Sequence, residues 1–400
     1  MSSEHRRALR LLFLCLVCTG IGQAMLFAIL PPAARKIGLS EIQVSVIFVS
    51  SATIWVFVSP FWGRRSDVVG RRRIILIGLL GYALSMVLLA TTIGLALDRW
   101  LPAATVWPLL VASRCVFALL GSGTGPASQA YVADRTTAGD RTAGVALVNA
   151  AFGLGQTLGP ATGAAFAVLG LLAPIYFAAG LAVVSAAVIW FYLPEGEPVR
   201  RTPQSRETRL KFYDKRIFPF LLLATSVQAV QATTAITLAF FLQDTLGLGA
   251  DETGQYAGIG FMALAGAGLL AQLVLVQRLR WTPSFMIHVG LPLSLAAFVL
   301  ISFEPPYLLD LLGLALLGVG LGLVRPGNAA GASLAVGGEE QGAVAGLLGA
   351  IGVLGNVFGP LLGTSLYSLT PTAPFLLNAV IMAAGLAFSL AHPRLRHVRP

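Results

Sequence analysis

The sequence predicts an all-α integral membrane protein: twelve transmembrane helices in two six-helix bundles related by a parallel repeat. Three observations carry that fold class. Mean hydropathy is +0.81 and 56% of residues are hydrophobic, while 11% are charged, against roughly a quarter in soluble domains. Apolar runs of membrane-spanning length recur along all 400 residues. The basic residues gather on alternate connectors between those runs.

The runs fall at about 9–31, 42–62, 74–96, 106–130, 143–168 and 173–193, then at about 217–241, 253–276, 284–302, 308–331, 343–368 and 374–391. Helices are the fitting element, because an open sheet edge in hydrocarbon leaves backbone groups unpaired. The first run follows Arg6, Arg7 and Arg10 as a signal peptide would. It is too long for a signal core and eleven runs follow, so it is expected to stay as the first helix. Cys15 and Cys18 lie within it at CxxC spacing. With no histidine nearby they read as small apolar residues on a helix turn, and no metal or cofactor is expected.

Placing the N-terminus in the cytoplasm puts 22 of the 27 basic residues inside. They occupy the N-terminal segment, the 63–73 loop, the loop with Arg135 and Arg141, the linker from Arg200 to Arg216, the loop with Arg278 and Arg280, and the C-terminal tail. That is the positive-inside pattern, with both termini cytoplasmic. The location of the charges also argues against nucleic-acid binding as the reason for the net +10. Residues 1–193 and 217–400 are then two bundles joined by a basic linker, 194–216. They share sequence: Leu154–Gly163 and Leu354–Gly363 align at an offset of 200, which also relates Pro126 to Pro326 and Asp140 to Glu340. Six spans is an even number, so both halves enter the membrane in the same direction.

Four features carry chemistry. Gly63, Asp67, Gly70, Arg71 and Arg72 follow the spacing G-x-x-x-D-x-x-G-[RK]-[RK]. Glycines there permit a tight turn, and the carboxylate can accept from arginines. Asp134 follows the fourth run. Arg114 lies about eight residues into that run, roughly 12 Å deep at the helical rise. A charge at such depth needs a polar cavity or a partner, which makes it a functional candidate. Gly155, Gly159, Pro160 and Gly163, repeated as Gly355, Gly359, Pro360 and Gly363, leave a flat helix face beside a proline kink.

These motifs resemble the major facilitator superfamily of secondary transporters, and specifically its twelve-helix drug–proton antiporter branch, which includes tetracycline and multidrug pumps. The resemblance spans essentially the whole chain. It implies that Asp67, with Asp134, gates on the cytoplasmic side, and that Arg114 handles protons or substrate. It also implies that the Gly-Pro helices bend as exporters require. Val68 and Arg65 depart from the loop pattern, and Phe117 and Ala118 replace the residues expected after Arg114.

Gln23, Asn149, Gln156, Gln228, Gln231, Asn328 and Asn356 are candidates to line a central cavity, because facing lipid would leave their amides unsatisfied. The carboxylates associated with spans lie near their ends (Glu41, Asp244 and Asp310 outside, Asp67 and Asp134 inside), so no buried acid stands out for proton coupling. The expected activity is proton-driven export of a small organic compound by alternating access, favouring neutral or anionic amphiphiles. The alternative is an importer or uniporter of a sugar, organic acid or other small solute. No catalytic constellation or nucleotide loop is present, so an enzyme is not expected. The expected setting is a bacterial inner membrane, with the lipid bilayer, the small-molecule substrate and protons as partners, and a monomer as the working unit.

Overall fold

A computed structural model describes residues 3–135, 141–195, 210–276, 278, 281–337 and 340–396. Among these residues the structure is helical without strands. The elements are α1 (Ser3–Lys36), α2 (Glu41–Val69), α3 (Arg71–Leu97), α4 (Ala103–Gly121), α5 (Thr124–Ala133), α6 (Arg141–Ala167) and α7 (Ala173–Tyr192). They continue with α8 (Phe218–Leu246), α9 (Ala250–Leu270, running into a π-helical turn, Ala271–Val276), α10 (Pro283–Ile301), α11 (Tyr307–Leu334), α12 (Gln341–Tyr367), α13 (Ala373–Ala391) and the short α14 (Pro393–Arg396). Each apolar run becomes a helix, with α4 and α5 together filling the fourth. Eleven stretches among the described residues are long and apolar enough to cross a membrane. The other long helix is α6.

Local chemistry sets several boundaries. Ser40 and Gln43 form a reciprocal capping box that starts α2. Thr282 caps α10, with Pro283 in its first turn. Gly247 ends α8 in the left-handed conformation at φ 64°. The 63–73 segment is more helical than its sequence suggests. The seven residues Gly63–Val69 are the end of α2, and Gly70 alone separates α2 from α3. Gly70 has φ 105°, and a Cβ there would lie 2.4 Å from Glu195 Oε1, so glycine is required twice over.

The chain forms two compact units, Met1–Thr202 with Gly249–Gly258, and Pro203–Leu248 with Ile259–Pro400. In the first, α1 packs on α6 and α7, α3 on α4 and α7, and α2 on α4. In the second, α8 packs on α12 and α13, and α10 on α11 and α13. The pairing scheme is thus repeated. The first unit buries Leu12, Leu16, Ile74, Leu79, Tyr131 and Ile189 in one cluster. Leu80, Phe191 and Val380 are among many large apolar residues left on the outside, as a lipid-facing surface requires.

In the second unit, Arg216 ties the start of α8 to the start of α12. Its Nη1 and Nη2 donate to the Glu340 carboxylate at 2.9 and 3.0 Å, and Nη2 and the backbone N–H donate to Asp214, each at 2.8 Å. Hydrogen bonds from Arg216 hold both carboxyls below the ordinary carboxylate range. Groups depressed in this way add stability above their unfolded values, near pH 4, and lose it as pH falls through the lowered folded values. The thermal midpoint of the wild type should therefore drop more steeply between pH 5 and pH 3 than that of Arg216→Gln, measured in detergent. The difference should be small, since exposed ion pairs contribute little.

Candidate functional site

The α2–α3 junction brings the predicted gating residues together around one guanidinium. Arg71 donates to Ser66 Oγ, to Asp67 and, from Nε at 3.1 Å, to Asp134. The Arg71 side chain is 10% exposed and that of Asp134 14%, whereas Asp67 is 40% exposed. Low exposure strengthens the bond to Asp134 more than the one to Asp67. Asp67 and Asp134 therefore share a cation although they lie 67 residues apart in sequence. The neighbouring Arg72 donates to the Trp190 carbonyl and lies over that residue's ring at 5.4 Å. Arg135 lies 3.7 Å from the Tyr131 ring centroid, and both residues donate to the Pro194 carbonyl. Gly63 places its backbone beside Pro126.

Arg114 on α4 is 5% exposed. Its Nε and Nη1 are buried without a hydrogen-bond partner. The guanidinium lies over the Phe117 ring at 4.8 Å and near that of Phe48 at 5.9 Å. Further rings back those two: Trp55 and Tyr82 pack on Phe117, each at 5.1 Å, and Phe27 stacks on Phe48 at 4.8 Å. The Tyr82 hydroxyl is itself unpartnered and occupies space that a side chain on Gly22 would fill. Ring faces attract a cation but do not accept its N–H groups as a carboxylate would. The result is a buried charge with spare donors inside an aromatic enclosure. Phe117, which departs from the resemblance, builds that enclosure.

The Gly-Pro faces lie in helix contacts. A Cβ on Gly155 would come 2.1 Å from the Val17 carbonyl, and one on Gly159 2.5 Å from that of Ile21, so α6 meets α1 backbone to backbone. Gly163 faces Met25. The second unit repeats the seam: Gly355 and Gly359 abut Gln228 and Ala229 of α8, and Gly363 abuts Thr233. Pro160 and Pro360 lie within α6 and α12.

The amides divide. Asn328 is buried and donates to the Phe220 carbonyl at 2.9 Å, which ties α11 to α8 instead of facing a cavity. Gln228 donates to Asn356 Oδ1 at 2.8 Å. Gln156 is exposed on α6, and Gln23 and Gln231 are partly buried. The side chain of Asn149 lies outside the described residues. Sequence reasoning missed Asp310. It sits in the first turn of α11, at a span end as expected, yet it is 1% exposed and neither carboxylate oxygen has a partner. Its apolar neighbours in sequence, Leu308, Leu309, Leu311 and Leu312, are the one signal that could have marked it. Among the described residues no cluster of histidine, cysteine and carboxylates could hold a metal.

The family model of the Major Facilitator Superfamily matches residues 12–352. Multidrug resistance protein 1 of Bacillus subtilis (strain 168) is 28% identical over 390 residues, covering 95% of this chain and 94% of that one. Tetracycline resistance protein, class B, of Escherichia coli is 27% identical over 363 residues, covering 87% and 85%. Among solved structures, a bacterial homolog of the human lysosomal transporter Spinster, inward-facing and occupied, superposes with a TM-score of 0.77 at 14% identity over 97% of each chain. With the repeated helix pairing, the glycine seams and the buried arginine, these matches lead to one identification: the chain belongs to the major facilitator superfamily and is a multi-pass membrane transporter, not an enzyme, related to multidrug and tetracycline resistance proteins.

Proposed function

We propose that the protein exports a small organic compound, such as a drug, metabolite or siderophore, in exchange for protons, working as a monomer in a bacterial inner membrane with both termini in the cytoplasm. The observation that carries the reading is the α1–α6 seam. There the exporter-type glycine face, with Pro160 at its centre, is in backbone contact with the neighbouring helix. A helix lacking one amide donor bends at that point, and the glycines let α6 lie close against α1 as it does so. The resistance proteins that align along nearly the whole chain support the same direction of transport. Asp310 is our candidate for the coupling acid, because a buried carboxylate without a partner links its protonation to its surroundings.

Inverted membrane vesicles energised by internal acidification test this. Wild type should accumulate substrate from a panel of neutral and anionic dyes, and Asp310→Asn should lose gradient-driven uptake while keeping substrate exchange. Uptake indifferent to the gradient would leave a facilitator or importer as the better account.

Arg114 gives a second prediction. Removing an unpaired buried charge relieves a desolvation cost. Arg114→Met should therefore unfold no earlier than wild type in a thermal melt, yet transport should fall by about tenfold or more, as each ~1.4 kcal/mol of lost interaction is tenfold.

A further inference from the structure

Arg325 is the other arginine within a span, and its surroundings differ from those of Arg114. Arg325 Nη2 donates to Gln228 Oε1 at 3.0 Å, and Gln228 Nε2 donates in turn to Asn356 Oδ1 at 2.8 Å. The three side chains come from α11, α8 and α12, all in the second unit. Gln228 lies ten residues from the start of α8 and Arg325 nine from the end of α11, so each is about 14–15 Å from a helix end on the same side. Asn356 is deeper, fifteen residues along α12, or about 22 Å. Arg325 lies more than two helical turns inside the end of α11.

Arg325 and Asn356 are nonetheless exposed, and Gln228 is partly so. A guanidinium facing acyl chains is costly, which argues against lipid as the medium. A water-filled face is the medium that suits it best. Donors dominate the cluster. Both amide carbonyls are engaged, whereas four of the five guanidinium N–H groups, one hydrogen of Gln228 and both of Asn356 are unspent. No carboxylate pairs with Arg325 among the described residues. Tying helices together accounts for the bond between Gln228 and Asn356, but it needs no positive charge.

We propose that Arg325, Gln228 and Asn356 form an anion-binding site for the transported compound, and that the compound is an organic carboxylate. A carboxylate matches the guanidinium fork in two parallel bonds and leaves the Asn356 amide to cap an oxygen. One guanidinium neutralises one negative charge. A phosphate dianion would leave a charge uncompensated at this depth, and a cation would meet only donors. The site rests on the transport reading above, since it takes the anion to be cargo.

The test is equilibrium binding to the purified full-length protein in lipid nanodiscs, without a gradient. Isothermal titration would compare 1-naphthoate with 1-naphthalenemethanol and 1-naphthylmethylammonium. Wild type should prefer the carboxylate over the alcohol by at least about tenfold, in line with one charge-assisted bidentate contact. Arg325→Gln should erase that preference and leave alcohol binding unchanged. Arg325→Lys should keep part of it, and Asn356→Leu should reduce it. If Arg325→Gln does not fold, the Lys and Leu variants decide. Wild type without a carboxylate preference, or variants that all retain it, would overturn the site. The two readings fail separately. Carboxylate selectivity that depends on Arg325, in a protein whose vesicles ignore the gradient, would sink only the antiport reading. Gradient-driven transport with selectivity indifferent to Arg325 would sink only the site.

Discussion

Gly155→Leu is expected to yield little or no folded protein, and Gly155→Ala a folded but weakened one. The Cβ of even an alanine would stand 2.1 Å from the Val17 carbonyl and 2.9 Å from Gly20 Cα and Ile21 N. These are backbone atoms, so no rotamer change can make room, and the helices must part by roughly an ångström. A gap of that size forfeits a quarter to a half of the local dispersion energy. Overpacking of a tight core costs about 1–3 kcal/mol for small additions and more for large ones. Gly153 on the same helix supplies the control, because nothing lies within 4 Å of its Cβ position. Gly153→Ala should be neutral or slightly stabilising. Yield of monodisperse protein and thermal midpoint in detergent separate the three variants, and a normal midpoint for Gly155→Ala would refute the close-packed seam.

Arg71→Ala should destabilise by about 3 kcal/mol, the low end for breaking a largely buried ion pair because Asp67 is partly hydrated. The change removes the cation that Asp67 and Asp134 share and the donor to Ser66. The double variant Arg71→Ala/Asp134→Asn should cost less than the sum of the two single variants, because both changes remove the same Arg71–Asp134 bond. A thermodynamic cycle over both single variants measures the coupling. Transport should fall on the order of tenfold or more if this cluster biases the conformational cycle. Full transport at normal stability would remove the cluster from the mechanism.

The spans were legible because lipid imposes one rule, that every backbone group be satisfied within the segment, and runs of about twenty apolar residues obey it visibly. The glycine seams were legible because the repeat shows them twice. Partner choice was not. The resemblance set Asp134 beside the 63–73 loop without naming Arg71 as the bridge, and nothing in the spacing ties Arg325 to Gln228 97 residues earlier. Such contacts depend on which helix faces meet, and a span hydrophobic all round gives no amphipathic face to read. Asp310 was misjudged for a related reason. Its place at a helix end suggested solvent, but burial there is decided by the neighbouring helix. Asn328 reads in sequence like the cavity amides, and only its bond to Phe220 separates it from them. The single-residue junction at Gly70 was foreshadowed by its glycine, while the helical continuation through Gly63–Val69 was not.

The backbone-to-backbone contact of α1 with α6 has an evolutionary consequence. Where Gly155 and Gly159 meet the α1 backbone, any side chain is an insertion, so those positions offer little variation that selection can use. New cargo preferences must then arise on the faces that carry real side chains. The aromatic residues around Arg114 and the amides beside Arg325 can change one group at a time while the scaffold holds. On the proposed reading of those two sites, adaptation to a new compound is left to a small set of positions that mutagenesis libraries can enumerate.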